Sequence, residues 1–147
     1  MRIIVDGDGC AGKDVIDKIS KEFNIQLKLF CSYNHSITLN YGEVKYIDPS
    51  FQSVDMEVFN QCKSGDIVVT QDFGVAAMVL SKGAYSISPK GYIFNNSNMD
   101  RLLFERHMGS KVRRCGGRTK GPKKRTSEDD ERLYNNLKIL IQKKAGE

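Results

Sequence analysis

Residues 65–87 read GDIVVTQDFGVAAMVLSKGAYSI, and this stretch decides the fold class. Ile67-Val68-Val69-Thr70 is a short β-branched run between Asp66 and the turn Gln71-Asp72-Phe73-Gly74, the signature of a buried strand. Val75–Lys82 then reads as a helix, with Gly83 just past its end, where glycine accepts the left-handed conformation that stops a helix. Tyr85-Ser86-Ile87 is a second short strand, closed by Ser88-Pro89-Lys90-Gly91. A strand, a helix and a strand in succession make a right-handed crossover between parallel strands.

The same alternation extends outward on both sides. Arg2–Val5 is a strand that breaks off into Asp6-Gly7-Asp8-Gly9. From about Ala11 to Phe23, the apolar residues Val15, Ile16, Ile19 and Phe23 form a helical stripe. Leu27–Cys31 and Glu43–Ile47 are strands, the second ended by Asp48-Pro49. Val54, Val58 and Phe59 suit a helix running to near Ser64-Gly65. Residues 97–109 read as helical, and a final helix at about 126–143 opens with Thr126 and an acid three residues on, the capping-box spacing. The whole chain, 1–147, is therefore expected to be one α/β domain, a three-layer α/β/α sandwich around a mostly parallel sheet.

Composition narrows the function classes. A hydrophobic fraction of 39% with 28% charged residues is ordinary for a globular protein. No apolar run reaches the roughly 20 residues of a membrane helix, and MRIIVDGDG is no signal peptide. The expectation is a cytoplasmic chain with no membrane partner. The four cysteines, at 10, 31, 62 and 115, form no CxxC pair, which argues against zinc. Cys31 and Cys62 read as small core residues; Cys10 and Cys115 lie in glycine-rich turns, where a reactive thiol is the alternative.

The net charge of +5 is unevenly placed. Residues 111–125 carry eight lysines and arginines and no acid, so the rest of the chain totals −3. One strongly basic loop on an otherwise mildly acidic protein points to an anionic partner there. The loop holds no aromatic residue between 105 and 133, so it offers phosphate contacts without base stacking.

In a parallel α/β sheet, ligands bind beyond the carboxyl ends of the strands. Asp6 and Asp8 follow the first strand, two residues apart, and Asp72 follows the strand that ends at Thr70. Asp55 lies at the start of a helix, and Asp66 starts a strand at the opposite edge, which is a structural position. Clustered carboxylates raise one another's pKa unless a cation offsets them, and Mg²⁺ or Mn²⁺ is the natural partner of oxygen ligands. Any one of these aspartates also reads as an ordinary turn or cap residue. Asn34 and His35 follow the second strand, again at a carboxyl end, where His35 reads either as a substrate contact or as a turn residue.

Four motifs carry a resemblance to a known family. IIVDGDGC at 3–10, GDIVVTQDFGVAAMVLSKGA at 65–84, ISPKG at 87–91 and GGRTKGP at 116–122 resemble, in order and spacing, the signatures of the bacterial YaiI/YqxD (UPF0178) family. Lys13 matches a lysine the family carries soon after its opening cysteine, while Gly7, Gly9 and Ala11 depart from its alanines and proline. The resemblance implies a PIN-like α/β/α sandwich and, by analogy with PIN-like nucleases, metal-dependent phosphodiester cleavage.

Three functions are open at this point. In the first, Asp6, Asp8 and Asp72 hold Mg²⁺ or Mn²⁺, with Asp55 as a fourth catalytic acid. Lys13, Arg118, Lys120, Thr70 and His35 then contact phosphate, and the chain cleaves nucleic acid, RNA first. In the second, Asp6 is the nucleophile of a haloacid-dehalogenase-like phosphatase and Thr70 its second-motif hydroxyl, although the later paired acids of that chemistry are missing. In the third, the basic loop makes a non-catalytic nucleic-acid-binding module. A second copy of the chain is a further partner left open.

Overall fold

The fold is described by a computed structural model covering residues 1–8, 10–32, 36–99 and 124–145. Of the helix expected over 97–109 only 97–99 fall within this description, and they are helical together with residue 96. His35, Arg118, Lys120, Cys115 and nearly all of the basic loop lie outside it.

Six strands form one sheet: β1 (Arg2–Asp6), β2 (Gln26–Ser32), β3 (Glu43–Ile47), β4 (Ile67–Val69), β5 (Tyr85–Ile87) and β6 (Ile93–Phe94), in the spatial order β3-β2-β1-β4-β5-β6. All neighbours are parallel except β5 and β6. β6 carries no clear sequence signal, because two residues are too few for a periodic pattern; it exists as the return of a hairpin whose turn is closed by Ser88 and Tyr92.

The alternation of side chains across β1 and β4 builds the two outer layers. Ile3, Val5, Ile67 and Val69 point to one face, where they meet Ile16 and Ile19 of α1 (Lys13–Glu22). Leu133, Leu137, Leu140 and Ile141 of α4 (Ser127–Ala145) complete that layer. Ile4 and Val68 point to the other face, against Val54 and Val58 of α2 (Val54–Gln61) and Val75 and Val79 of α3 (Phe73–Ser81). Helices therefore cover both faces, as a sheet with near-continuous apolar strands requires. Cys31 and Cys62 sit in these two cores, one in each.

Helix ends follow local chemistry. α3 begins two residues before the expected Val75, because Asp72 caps it by accepting from the N–H groups of Gly74 and Val75 at 2.8 and 3.2 Å. α2 stops at Gln61, short of Ser64-Gly65, as Cys62 turns extended. The Lys82 ammonium donates to the carbonyls of Phe59 and Cys62 at that end. At the start of α4, Asp129 accepts from the Thr126 N–H at 3.0 Å and the Asp129 N–H donates back to Thr126 Oγ1 at 3.4 Å, which completes the capping box.

The connection from β2 to β3 joins parallel neighbours with no helix among its described residues, and Asp17 holds it in place. This buried carboxylate on α1 accepts from the N–H groups of Asn40, Tyr41 and Gly42, the shortest at 2.7 Å. Asp66, also buried, binds the Arg2 guanidinium at 2.8 Å and the Lys63 N–H at the amino edge of the sheet, the structural role expected of it.

Candidate functional site

The strand order reverses direction between β1 and β4: from β1 the chain first builds outward through β2 and β3, then returns to β4 on the other side. At such a switch point the loops leaving the two central strands part, and a crevice opens beyond their carboxyl ends. Here Val5 pairs with Val69, so Asp6 at the end of β1 lies beside Thr70 at the end of β4.

A cleft of about 380 Å³ occupies this place, lined by Asp6, Asp8, Ser32, Pro49, Ser53, Val54, Asp55, Gln71 and Asp72. All four acids named from the sequence thus line one cleft, contributed by the ends of β1 and β4 and the start of α2. No basic side chain is among the described residues that line it.

Each acid is held differently. Asp6 Oδ2 accepts a hydrogen bond from the Thr70 hydroxyl at 3.1 Å, and the Asp72 N–H donates to Thr70 Oγ1 at 3.0 Å. That second bond occupies a lone pair of the hydroxyl, so its proton is directed at Asp6. Asp8 Oδ1 accepts from the Ser32 N–H at 3.0 Å, which ties the turn after β1 to the end of β2. Asp72 Oδ1 is committed to the α3 cap, and Asp55 Oδ1 accepts from the Met56 N–H at 3.0 Å. Between Asp6 and Asp8, Gly7 packs so closely that a Cβ would lie 2.4 Å from Leu29 Cδ2 and 2.8 Å from the Phe30 carbonyl oxygen.

The electrostatic consequence falls on Asp6. Burial first, and then the negative charges of Asp55, Asp8 and Asp72, push its carboxyl up to about 6, against the opposing effect of the Thr70 hydrogen bond. Cys10, just beyond, is buried with its thiol pushed up to about 12, chiefly by burial; this is an inert packing thiol, which corrects the reactive alternative.

Thr70, expected as a phosphate contact, is fully buried, and its hydroxyl donates to Asp6. Lys13 is the first residue of α1, half-buried, and close enough to Cys10 to act on its thiol. Arg125, the last residue of the basic stretch, is anchored at the same edge of the sheet. Its guanidinium donates to the Pro89 carbonyl at 2.7 Å and to Asp130 at 2.8 Å, and it lies against Gly12.

The donor set is all oxygen, which suits a hard divalent cation and no soft one. Among the described residues, however, no three His, Cys, Asp or Glu side chains are gathered into a ready-made metal cage. The residues therefore fit an ion that keeps most of its water and takes one or two carboxylates, which is how Mg²⁺ binds.

Comparison with known proteins bears on the site. A family profile described as "Uncharacterized BCR, YaiI/YqxD family" matches residues 4–143. The chain belongs to the YaiI/YqxD family. It is similar to the UPF0178 protein of Clostridium perfringens strain SM101, with 57% identity over 97% of this chain and 96% of that protein. The UPF0178 protein of Clostridium tetani is 56% identical over 97% and 98%, and that of Clostridium acetobutylicum 44% over 96% and 97%. No solved structure matches the chain. The YaiI/YqxD match runs through all four motifs, from the Asp6–Asp8 turn to the start of α4. No described helix is long and apolar enough to cross a membrane.

Proposed function

We propose that this chain is a PIN-like, Mg²⁺- or Mn²⁺-dependent nuclease that hydrolyses phosphodiester bonds in nucleic acid, RNA first. The observation that carries the reading is the cleft at the sheet's switch point: four carboxylates face it, no described basic residue lines it, and Asp6 is pushed up to about 6. Left alone, such a site is electrostatically unfavourable, and a divalent cation is what relieves it.

Asp6, Asp8 and Asp72 are the candidates from which one or two carboxylates would hold a largely hydrated ion through oxygen, with Asp55 as the further acid of the cleft. Bound there, Mg²⁺ or Mn²⁺ supplies a water of lowered pKa and offsets charge on the phosphate. The chain's own residues do the positioning. Thr70 fixes the Asp6 carboxylate, Ser32 fixes Asp8, and the α3 cap fixes Asp72. Phosphate contacts fall to Lys13, Arg118, Lys120 and His35. The anchoring of Arg125 beside Gly12 and Pro89 supports this, because it ties the end of the basic stretch to the edge that carries the acids.

The test is cleavage of end-labelled single-stranded RNA with Mn²⁺ or Mg²⁺. The parent protein cleaves and Asp6→Asn does not. Equal cleavage by the two, or none with either ion, overturns the reading. An aspartyl-phosphate trapped on Asp6 from a phosphomonoester would transfer it to the phosphatase class, and tight RNA binding without turnover to the binding-module class.

A further inference from the structure

Phe51 is 89% exposed, far beyond the next large apolar side chains among the described residues, Tyr92 at 55% and Ile139 at 54%. Its ring belongs to none of the described hydrophobic clusters. Nor does it staple the helix that follows. The N-cap of α2 is Ser53, so the stapling position would be Gln52, and the residue it would meet, the fourth in the helix, is Glu57. Among the described residues, no hydrophobic cluster uses this side chain where it stands.

Its setting is specific. Pro49 and Ser53, two residues to either side of it in the chain, both line the acid cleft, so the turn that carries Phe51 borders the cleft. The turn that presents it is stiff. Asp48 Oδ1 accepts from the Ser50 N–H and hydroxyl at 3.0 and 2.6 Å, and the Asp48 carbonyl accepts from the N–H groups of Phe51 and Gln52 at 3.1 and 3.2 Å. Pro49 fixes one further backbone angle. A ring held out to solvent on a pre-ordered turn binds a flat partner at little entropic cost.

We propose that Phe51 is a base-stacking platform, and that the unit the cleft accepts is therefore an unpaired nucleotide; this rests on the nuclease reading above. The basic loop is rich in phosphate-binding groups and has no aromatic residue, so it holds a backbone without holding a base. Phe51 supplies the missing half on the turn that borders the acid cleft. In a duplex the faces of the bases are covered by their neighbours, so the ring reaches only single strands, loops and ends. Phenylalanine has no hydrogen-bonding group, so the platform discriminates weakly among bases.

The chain contains no tryptophan, so Phe51→Trp introduces a single fluorescent probe at the proposed contact. Titration of this variant with a short oligouridylate is expected to quench its emission, and a matched abasic oligonucleotide to leave it unchanged. Binding followed by anisotropy of the labelled oligonucleotide is expected to weaken about tenfold in Phe51→Ala and to be kept in Phe51→Trp. Affinity for the abasic strand is expected to be the same in all three proteins. A urea midpoint unchanged in Phe51→Ala shows that the loss is not one of folding. If the parent cleaves through Asp6 while Phe51→Ala binds and cleaves as the parent does, the stacking proposal alone is overturned. If the parent binds neither oligonucleotide, both proposals fall.

Discussion

Replacing Asp6 by asparagine is expected to make the metal-free protein more stable at neutral pH while removing its activity. Asparagine keeps the volume and the oxygen that accepts from Thr70, and it discards a charge crowded by Asp8, Asp55 and Asp72. The folded-state value of Asp6 is raised from 3.8 to about 6. Folding therefore favours its protonated form, so its contribution is favourable below about pH 4 and is lost as the pH rises through about 6. A shift of about two units corresponds to about 3 kcal/mol against folding once the group is ionised in both states. The carboxyl is partly exposed, and solvent screening reduces this to about 1–2 kcal/mol. For a urea dependence of about 2 kcal/mol/M, the midpoint of Asp6→Asn at pH 8 should exceed that of the parent by about 0.5–1 M. The gap should close as the pH is lowered toward 4. Saturating Mn²⁺ should reverse the order: a hundredfold excess over Kd adds about 2.7 kcal/mol to a protein that binds it only when folded. Midpoints that coincide at pH 8 in chelator, or a gap that does not depend on pH, would refute the picture of Asp6 as a repelled carboxylate awaiting a cation.

Two further perturbations test how the cleft is held. Asp17→Ala leaves the N–H groups of Asn40, Tyr41 and Gly42 without their acceptor and should cost about 2–4 kcal/mol in urea unfolding; a loss under about 0.5 kcal/mol would mean that the β2–β3 connection is held by something else. Gly7→Ala forces a methyl group against Leu29 and the Phe30 carbonyl, so it should lower stability by about 1–3 kcal/mol and depress cleavage more than its stability loss explains, because Asp6 and Asp8 flank it. Unchanged cleavage in a destabilised but folded Gly7→Ala protein would show that the acids tolerate displacement.

The architecture was legible where one physical signal dominated. Ile67-Val68-Val69 could only be a buried strand, and with the helix and strand after it the parallel crossover followed. The acids were legible for a related reason: a polar residue straight after a buried strand has nowhere to be but the carboxyl edge. What sequence could not supply was the order of the strands. Asp6 and Asp72 meet only because β4 returns to lie against β1, and the side chains of β1 carry no sign of which strand will be its neighbour. The partner of Thr70 was hidden for the same reason: as a hydroxyl at a strand end it read as a ligand contact, and only with β1 alongside does its bond to Asp6 show.

Phe51 shows the complementary limit. A lone aromatic in a turn between Pro49 and Ser53 has no periodicity to place it and no neighbours to identify it, and most such residues fold inward. Only coordinates reveal that α2 fills its side of the core with Val54 and Val58 and leaves the ring outside. The cleft and the turn that borders it thus carry two kinds of residue that sequence treats differently. Asp6, Asp8 and Asp72 are found by their position after strands, since charge at a buried strand's end demands an explanation. Phe51 is found by exposure, since a ring the described clusters do not use becomes informative only near a site that could use it. Under the proposed function the acids mark where a phosphate would react, and the proposed stacking on Phe51 would bring the attached base into the recognition and so favour a nucleotide in a single strand over any other phosphodiester.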